Sequence, residues 1–260
     1  MKKCLLLLAL LASAARANLA DLRSRDQLRV GISDNIYPFG YQDSSGQWQG
    51  LEVELAKALA QALLGDEAKL QLLPVASMDR VAMLKGGEAD IMFSTFTQTP
   101  TRSRVVDFAT PYLNISTGVI SPETAPIQNL AELDGKTLIV ASGTVGEKYF
   151  KEHYPNVKLL STKSTASGFE ALLAGQGAAL LDDNVSLWGW AKQHPGYRVG
   201  ISTLGTPEVI APAINKGDAE LLQWLNGSLK RFKEDGTLQN AYDKTLAPVF
   251  GPEEMKKIVP

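Results

Sequence analysis

The sequence predicts an α/β protein of two lobes, each a mostly parallel sheet flanked by helices. Three observations point there. Short β-branched or leucine-rich runs alternate with helical patterns in a βαβαβ order, the mark of a parallel sheet covered by helices. That order begins again near residue 134, and each half has roughly 100 residues, an ordinary domain size. No Gly/Ser linker separates the halves, so the connections are ordered chain.

The first set opens with LRVGIS (28–33), a strand. LEVELAKALAQALLG (51–65) places Leu51, Leu55, Leu59 and Leu63 on one stripe, with Gly65 positioned to end the helix. KLQLLPV (69–75) reads as a strand, DRVAMLKGG (79–87) as a short helix and ADIMFST (89–95) as the third strand. The second set runs through DGKTLIVAS (134–142), TVGEKYFKEHY (144–154), VKLLS (157–161), TASGFEALLAG (165–175) and AALLDD (178–183). DAELLQWLNGSLKRFKEDG (218–236) is a long amphipathic helix, followed by a shorter one from Thr237. The crossings are then LNISTGVIS (113–121) and PEVIAPAIN (207–215). This assigns residues 18–115 and 213–260 to lobe 1 and residues 116–212 to lobe 2. Two ordered crossings make a hinge beside a cleft, and ligands of open α/β sheets bind at the carboxyl ends of the strands.

Composition narrows the class. With 260 residues, 45 % hydrophobic and 21 % charged, the chain has material for proper cores and nothing of disordered composition. MKKCLLLLALLASAARA carries a basic start, an apolar run from Leu5 to Leu11, and Ala15 and Ala17 in A-x-A spacing. It reads as a cleaved export signal over residues 1–17, too short to span a bilayer. Cys4, the single cysteine, leaves with it, so the mature chain has no disulfide. Removing Lys2, Lys3 and Arg16 takes the formal charge from −2 to −5, which argues against a nucleic-acid partner.

Three strand ends carry polar chemistry. STFTQTPTRSR (94–104) sets hydroxyls and two arginines just beyond an apolar strand. Arginine's planar fork pairs with a carboxylate; the alternative is a polar turn with surface arginines. ASGTVG (141–146) leads a strand into a helix N-terminus, either an anion site or an ordinary Ser/Thr cap. AALLDDN (178–184) ends a strand in two carboxylates, placed for an ammonium group or for capping the next helix. Anion receptors on both lobes and a cation receptor on one suit a zwitterion.

At these residues the chain resembles the periplasmic solute-binding proteins for polar amino acids (family 3, type II fold). IYPFGYQDSSGQWQGLEVELAKALA is similar to the family's opening motif, an aromatic near Pro-Phe followed by G-[FY]-[DE]-[VI]-[DE]-L-A. LLGDEAKLQLLPVASMDRVAMLKGGEADIMFSTFTQTPTRSRVVDFATPY is similar to its longest motif, which ends T-x-T-x-x-R-x-x-x-x-D-F-x-x-P-Y. The resemblance runs from about Leu28 to the C-terminal helices. It implies a monomer in the periplasm that needs no cofactor or metal and delivers an amino acid to an inner-membrane ABC permease. Arg102 and Thr97 would hold the ligand α-carboxylate. Ser94 and Thr95 would add contacts, and Asp183 would take the α-ammonium with Asp182 behind it. Tyr37 or Phe39 would wall the ligand. Ser77 and Arg80 match positions that hold a side-chain carboxylate in binders of acidic amino acids. Thr144 follows the family's pattern, but Val145 stands where several relatives have a second threonine, so only its amide could bind. Ser33 replaces a cation common among acidic-ligand binders. Gln176 and Ala178 replace a common Arg and Asp.

Other chemistries find little support. His153 and His194 lack metal-ligand spacing. DGKT (134–137) lacks the earlier glycine of a phosphate loop and precedes its strand. There is no G-x-S-x-G elbow and no H-E-x-x-H. Trp188 and Trp190 read as lobe packing. The same fold resembles periplasmic prephenate or arogenate dehydratases, for which Asp183 or Glu147 would be the proton-transfer candidates. The site inventory instead fits an intact zwitterion, so the expectation is a binder, serving transport or presenting its ligand to a chemosensory receptor.

Overall fold

The computed structural model describes residues 19–260. The export-signal reading of residues 1–17, and Cys4 with it, lies outside the described residues. The described chain enters through α1 (Leu19–Arg25), anchored where Arg25 and Arg29 both grip the buried Asp90. β1 (Leu28–Ser33) follows, and a small hairpin of β2 (Tyr41–Gln42) and β3 (Trp48–Gln49) leads into α2 (Leu51–Leu64). Leu51, Leu55 and Leu59 of the predicted stripe are buried, and the helix stops at Gly65. Each such leucine contributes roughly 1.5–3 kcal/mol of burial. β4 (Leu70–Val75), α3 (Arg80–Gly86), β5 (Ile91–Met92) and β6 (Val106–Phe108) complete the first pass.

The chain then leaves along β7 (Leu113–Pro122) and builds the second set. This comprises β8 (Thr137–Ala141), α4 (Val145–His153), β9 (Lys158–Thr162), α5 (Thr165–Leu173), β10 (Ala179–Asp183) and α6 (Asn184–Gln193). It returns along β11 (Tyr197–Ile210) into β12 (Ala213–Asn215) and ends in α7 (Ala219–Glu234), α8 (Thr237–Thr245) and α9 (Ala247–Ile258).

Two five-stranded sheets result, ordered β4-β1-β5-β12-β6 and β11-β7-β10-β8-β9. In each, the three strands of the βαβαβ set are parallel and in the same second-first-third order, while the crossing strands run antiparallel to a neighbour. The crossings lie side by side, with Leu113 opposite Ile210 and Asn114 opposite Val209.

Two local expectations need correction. The strand predicted over 89–95 pairs only at Ile91–Met92, because Ser94 and Thr95 turn left-handed, with φ of 29° and 39°. The second crossing is longer than predicted: β11 already begins at Tyr197. Trp190 packs as expected, stacked on Phe169 at 4.6 Å and on His194 at 3.8 Å between ring centroids.

Candidate functional site

The carboxyl ends of β1, β4 and β5 lie next to one another in the first sheet. Ser33 and Val75 end their strands there, and Ser94 follows β5 after the buried Phe93. Between them sits Arg80, only 6 % exposed at the start of α3. Its Nε donates to Ser94 Oγ at 3.3 Å, and its Nη2 to Ser77 Oγ at 3.2 Å and Thr95 Oγ1 at 3.4 Å. Four predicted site residues thus form one cluster in which hydroxyls serve a buried guanidinium. Beside them is a small cavity bordered by Ser33, Ile36, Val75, Arg80, Ser94 and Thr165, with a volume of ≈ 10 Å³. That is about the room of one water.

Arg102 stands beside this cluster on the turn at 102–104. Its Nη1 donates to the Thr97 carbonyl at 2.6 Å, and its Nη2 crosses the cleft to the Gly143 carbonyl at 2.8 Å. Burial first, then the neighbouring Arg80 charge, pull the Arg102 pKa down to about 10, so it stays charged at neutral pH. Phe96 backs both cations, with its ring centroid 4.7 Å from the Arg102 Cζ and 5.5 Å from that of Arg80. Such contacts add about 0.5–2 kcal/mol when desolvated. Phe96 sits inside the hydroxyl-rich stretch but was missed as a site residue.

The second lobe supplies the facing wall. Gly143 has a φ of 80°, and a Cβ there would lie 2.9 Å from the Met78 Cα. Its N–H donates to Glu147 Oε2 at 2.9 Å. The Thr144 hydroxyl is spent on structure, accepting from Glu147 N at 3.2 Å and donating to the Ala141 carbonyl at 2.7 Å. The Val145 amide is left as one of the helix's first N–H groups, which lack intrahelical acceptors. Across the other side of the cleft, α6 approaches so closely that a Cβ on Gly189 would lie 2.5 Å from the Tyr37 carbonyl oxygen.

The two adjacent acids at the end of β10 part ways. Asp182 is held by Thr165 Oγ1 at 2.5 Å and by the Asp183 N–H at 2.7 Å. Asp183 occupies the N-cap position of α6 without capping it. Burial, then the Asp182 charge, hold its carboxyl well above the usual range, and the Arg80 and Arg102 charges act against this. A carboxylate so placed favours a cation that brings its own donors.

The structure therefore gathers Ser77, Arg80, Ser94, Thr95, Thr97, Arg102, Thr144, Val145 and Asp183 around one cleft. The aromatic pair divides. Phe39 is fully buried in the first lobe's core, its carbonyl accepting from the Glu52 N–H at 2.9 Å, and so cannot wall a ligand. Tyr37 borders an outer groove, edge-on to Tyr41 at 5.0 Å. Glu52, buried below Ser33, was missed; the one signal for it was an acid next to Leu51 on the helix's inward side.

A family model of the bacterial extracellular solute-binding proteins, family 3, matches residues 28–247. Among solved structures, a solute receptor for L-cysteine from Neisseria gonorrhoeae is 41 % identical, with a TM-score of 0.91 over 94 % of this chain and 100 % of that one. A cysteine-binding protein from Campylobacter jejuni is 38 % identical, with a TM-score of 0.90 over 94 % and 99 %. The glutamine-binding protein of an ABC transporter in Bacillus subtilis is 31 % identical, covering 88 % of this chain and 84 % of its own length.

Proposed function

Since the chain belongs to the bacterial extracellular solute-binding proteins, family 3, we propose that its cleft binds a small zwitterionic amino acid with a short neutral side chain, cysteine foremost. The ligand is then delivered in the periplasm to an inner-membrane ABC permease. One observation carries this reading: Asp183 ends its strand uncapped, opposite the Arg80 and Arg102 guanidiniums. An ammonium and a carboxylate one carbon apart complement such an arrangement.

In this reading Arg102 turns its fork to the α-carboxylate with help from Thr97 and the Val145 amide, and Asp183 takes the α-ammonium. The side chain enters the small cavity beside Ser77, Arg80 and Ser94. Room for about one water-sized group suits a thiol or hydroxyl and not a chain as long as glutamine's or arginine's. The similar proteins of N. gonorrhoeae and C. jejuni, whose titles name cysteine, favour the same class over glutamine. Glu147, the other acid by the cleft, is held by the Gly143 N–H, Lys151 and Ser161, which supports binding over proton transfer.

Titration calorimetry tests this on protein refolded from denaturant, with reductant present. L-cysteine should bind one to one and more tightly than serine, alanine, glutamine, arginine or aspartate. Tighter binding of glutamine or arginine, or no binding of any amino acid, would overturn the assignment.

A further inference from the structure

The first of the two acids in the G-L-E-V-E-L-A stretch has no part in the ligand contacts above, yet Glu52 is fully buried in the first turn of α2. Its Oε2 accepts from the Ser33 N–H at 2.7 Å. Its Oε1 accepts from the Thr95 N–H at 2.6 Å and from the Ser33 and Tyr112 hydroxyls, each at 3.1 Å. An N–H that can only donate faces each oxygen, which is the pattern an ionised carboxylate satisfies. A buried charge needs a counter-charge, and the route to one is short. Thr95 Oγ1 lies within hydrogen-bond distance of Ser33 Oγ, at 3.3 Å, and accepts from Arg80 Nη2 at 3.4 Å. Thr95 is therefore bonded to Glu52 through its amide and to Arg80 through its hydroxyl.

The other acids whose charges act on Arg80, Asp183 and Asp182, belong to the second lobe and are near it only while the lobes are together. Glu52 accompanies Arg80 within its own lobe at all times. We propose that Glu52 is a positioning residue that sets ligand specificity through Arg80: its charge offsets the guanidinium from behind, so the cavity accepts a neutral side chain and rejects an anionic one. This rests on the amino-acid reading above. A side-chain carboxylate brought to Arg80 would join three carboxylates already arranged around it, with Arg102 committed to the ligand's α-carboxylate. Ser33, where a further cation would restore the balance, is a serine, and its hydroxyl also leans on Glu52.

The test compares L-aspartate with L-cysteine by calorimetry in wild type, Glu52→Gln, Arg80→Gln and the double variant. In Glu52→Gln the ratio of the aspartate Kd to the cysteine Kd should fall about tenfold or more. The same substitution should leave that ratio unchanged in the Arg80→Gln background. An unchanged ratio in the single variant, or an equal fall in both backgrounds, would show that Glu52 does not act through Arg80. Glutamine must turn its NH2 toward the Ser33 or the Thr95 N–H, so Glu52→Gln alone can fail to fold. Melting temperatures then decide. A double variant that folds where the single does not supports the charge pairing, and failure of both overturns it. Should wild type bind no amino acid, the ligand reading fails, while the same melting cycle still judges the pairing of Glu52 with Arg80.

Discussion

Gly143→Ala isolates the contact between the lobes. The added Cβ has two costs of different origin. A φ of 80° is left-handed, which charges an L-residue about 1–2 kcal/mol whatever the lobes do. The Cβ would also lie 2.9 Å from the Met78 Cα, 3.2 Å from the Ser77 carbonyl oxygen and 3.3 Å from the Met78 N. Those atoms are backbone and cannot swing aside, so the clash resembles core overpacking, about 1–3 kcal/mol. It exists only while the lobes meet. The backbone cost should lower the melting temperature of the free protein by about 2–8 °C. The clash should weaken ligand affinity roughly 5- to 150-fold. Gly135→Ala is the control: its φ is 67°, and its Cβ would meet nothing within 4 Å, so it should lose stability and keep affinity. Calorimetry with cysteine and thermal melting of both variants separate the two effects. Equal affinities for both variants and wild type would falsify the claim that ligand is held with Gly143 against Met78.

Three further outcomes are expected. Arg102→Ala should cost about one and a half to three and a half decades of affinity, since truncating one partner of a desolvated charge pair costs about 2–5 kcal/mol; binding within a few-fold of wild type would place the carboxylate elsewhere. Phe96→Leu should fold yet bind more weakly, by about 0.5–2 kcal/mol, because it keeps the packing while removing the ring behind both arginines; equal affinity by calorimetry would reduce Phe96 to filler. For Asp183, burial raises the folded pKa above the ordinary 3.8, so the folded state holds its proton more strongly than the unfolded one. This contribution to stability is full below the unfolded pKa and is lost as pH rises through the raised folded value. Acidification through that window should therefore weaken amino-acid binding by wild type, whereas Asp183→Asn should show no such fall; parallel affinity profiles for the two proteins would refute it.

Much of this was legible in the residues because it rests on local rules. The β-α-β order follows from apolar period, the end of α2 from Gly65, and the polar strand ends from placement alone. What escaped depends on tertiary context. Nothing local tells that Ser94 and Thr95 turn left-handed, since the carboxylate that takes the Thr95 N–H lies 43 residues away in sequence. Glu52 stands between Leu51 and Val53, but that a carboxylate is held there shows only in the packed structure, through its partners Ser33, Thr95 and Tyr112. The hairpin strands at Tyr41–Gln42 and Trp48–Gln49 are too short to show alternation. α9 contains Gly251 and Pro252, which local rules read as a stop. Phe39 and Tyr37 are two residues apart, and their separate fates follow from how that loop packs under α2.

The strand order of the first sheet also governs how the protein is assembled. Among the described residues β6 bonds to no strand except β12, and β12 sits between it and β5. Yet β12 begins at Ala213, after the whole second sheet has been laid down. A chain growing from its N-terminus holds every strand of the second lobe before it holds the one that closes the first. The lobe that begins earliest is thus the last to be completed, and a chain stopping short of Ala213 would leave Val106–Phe108 with no strand beside it.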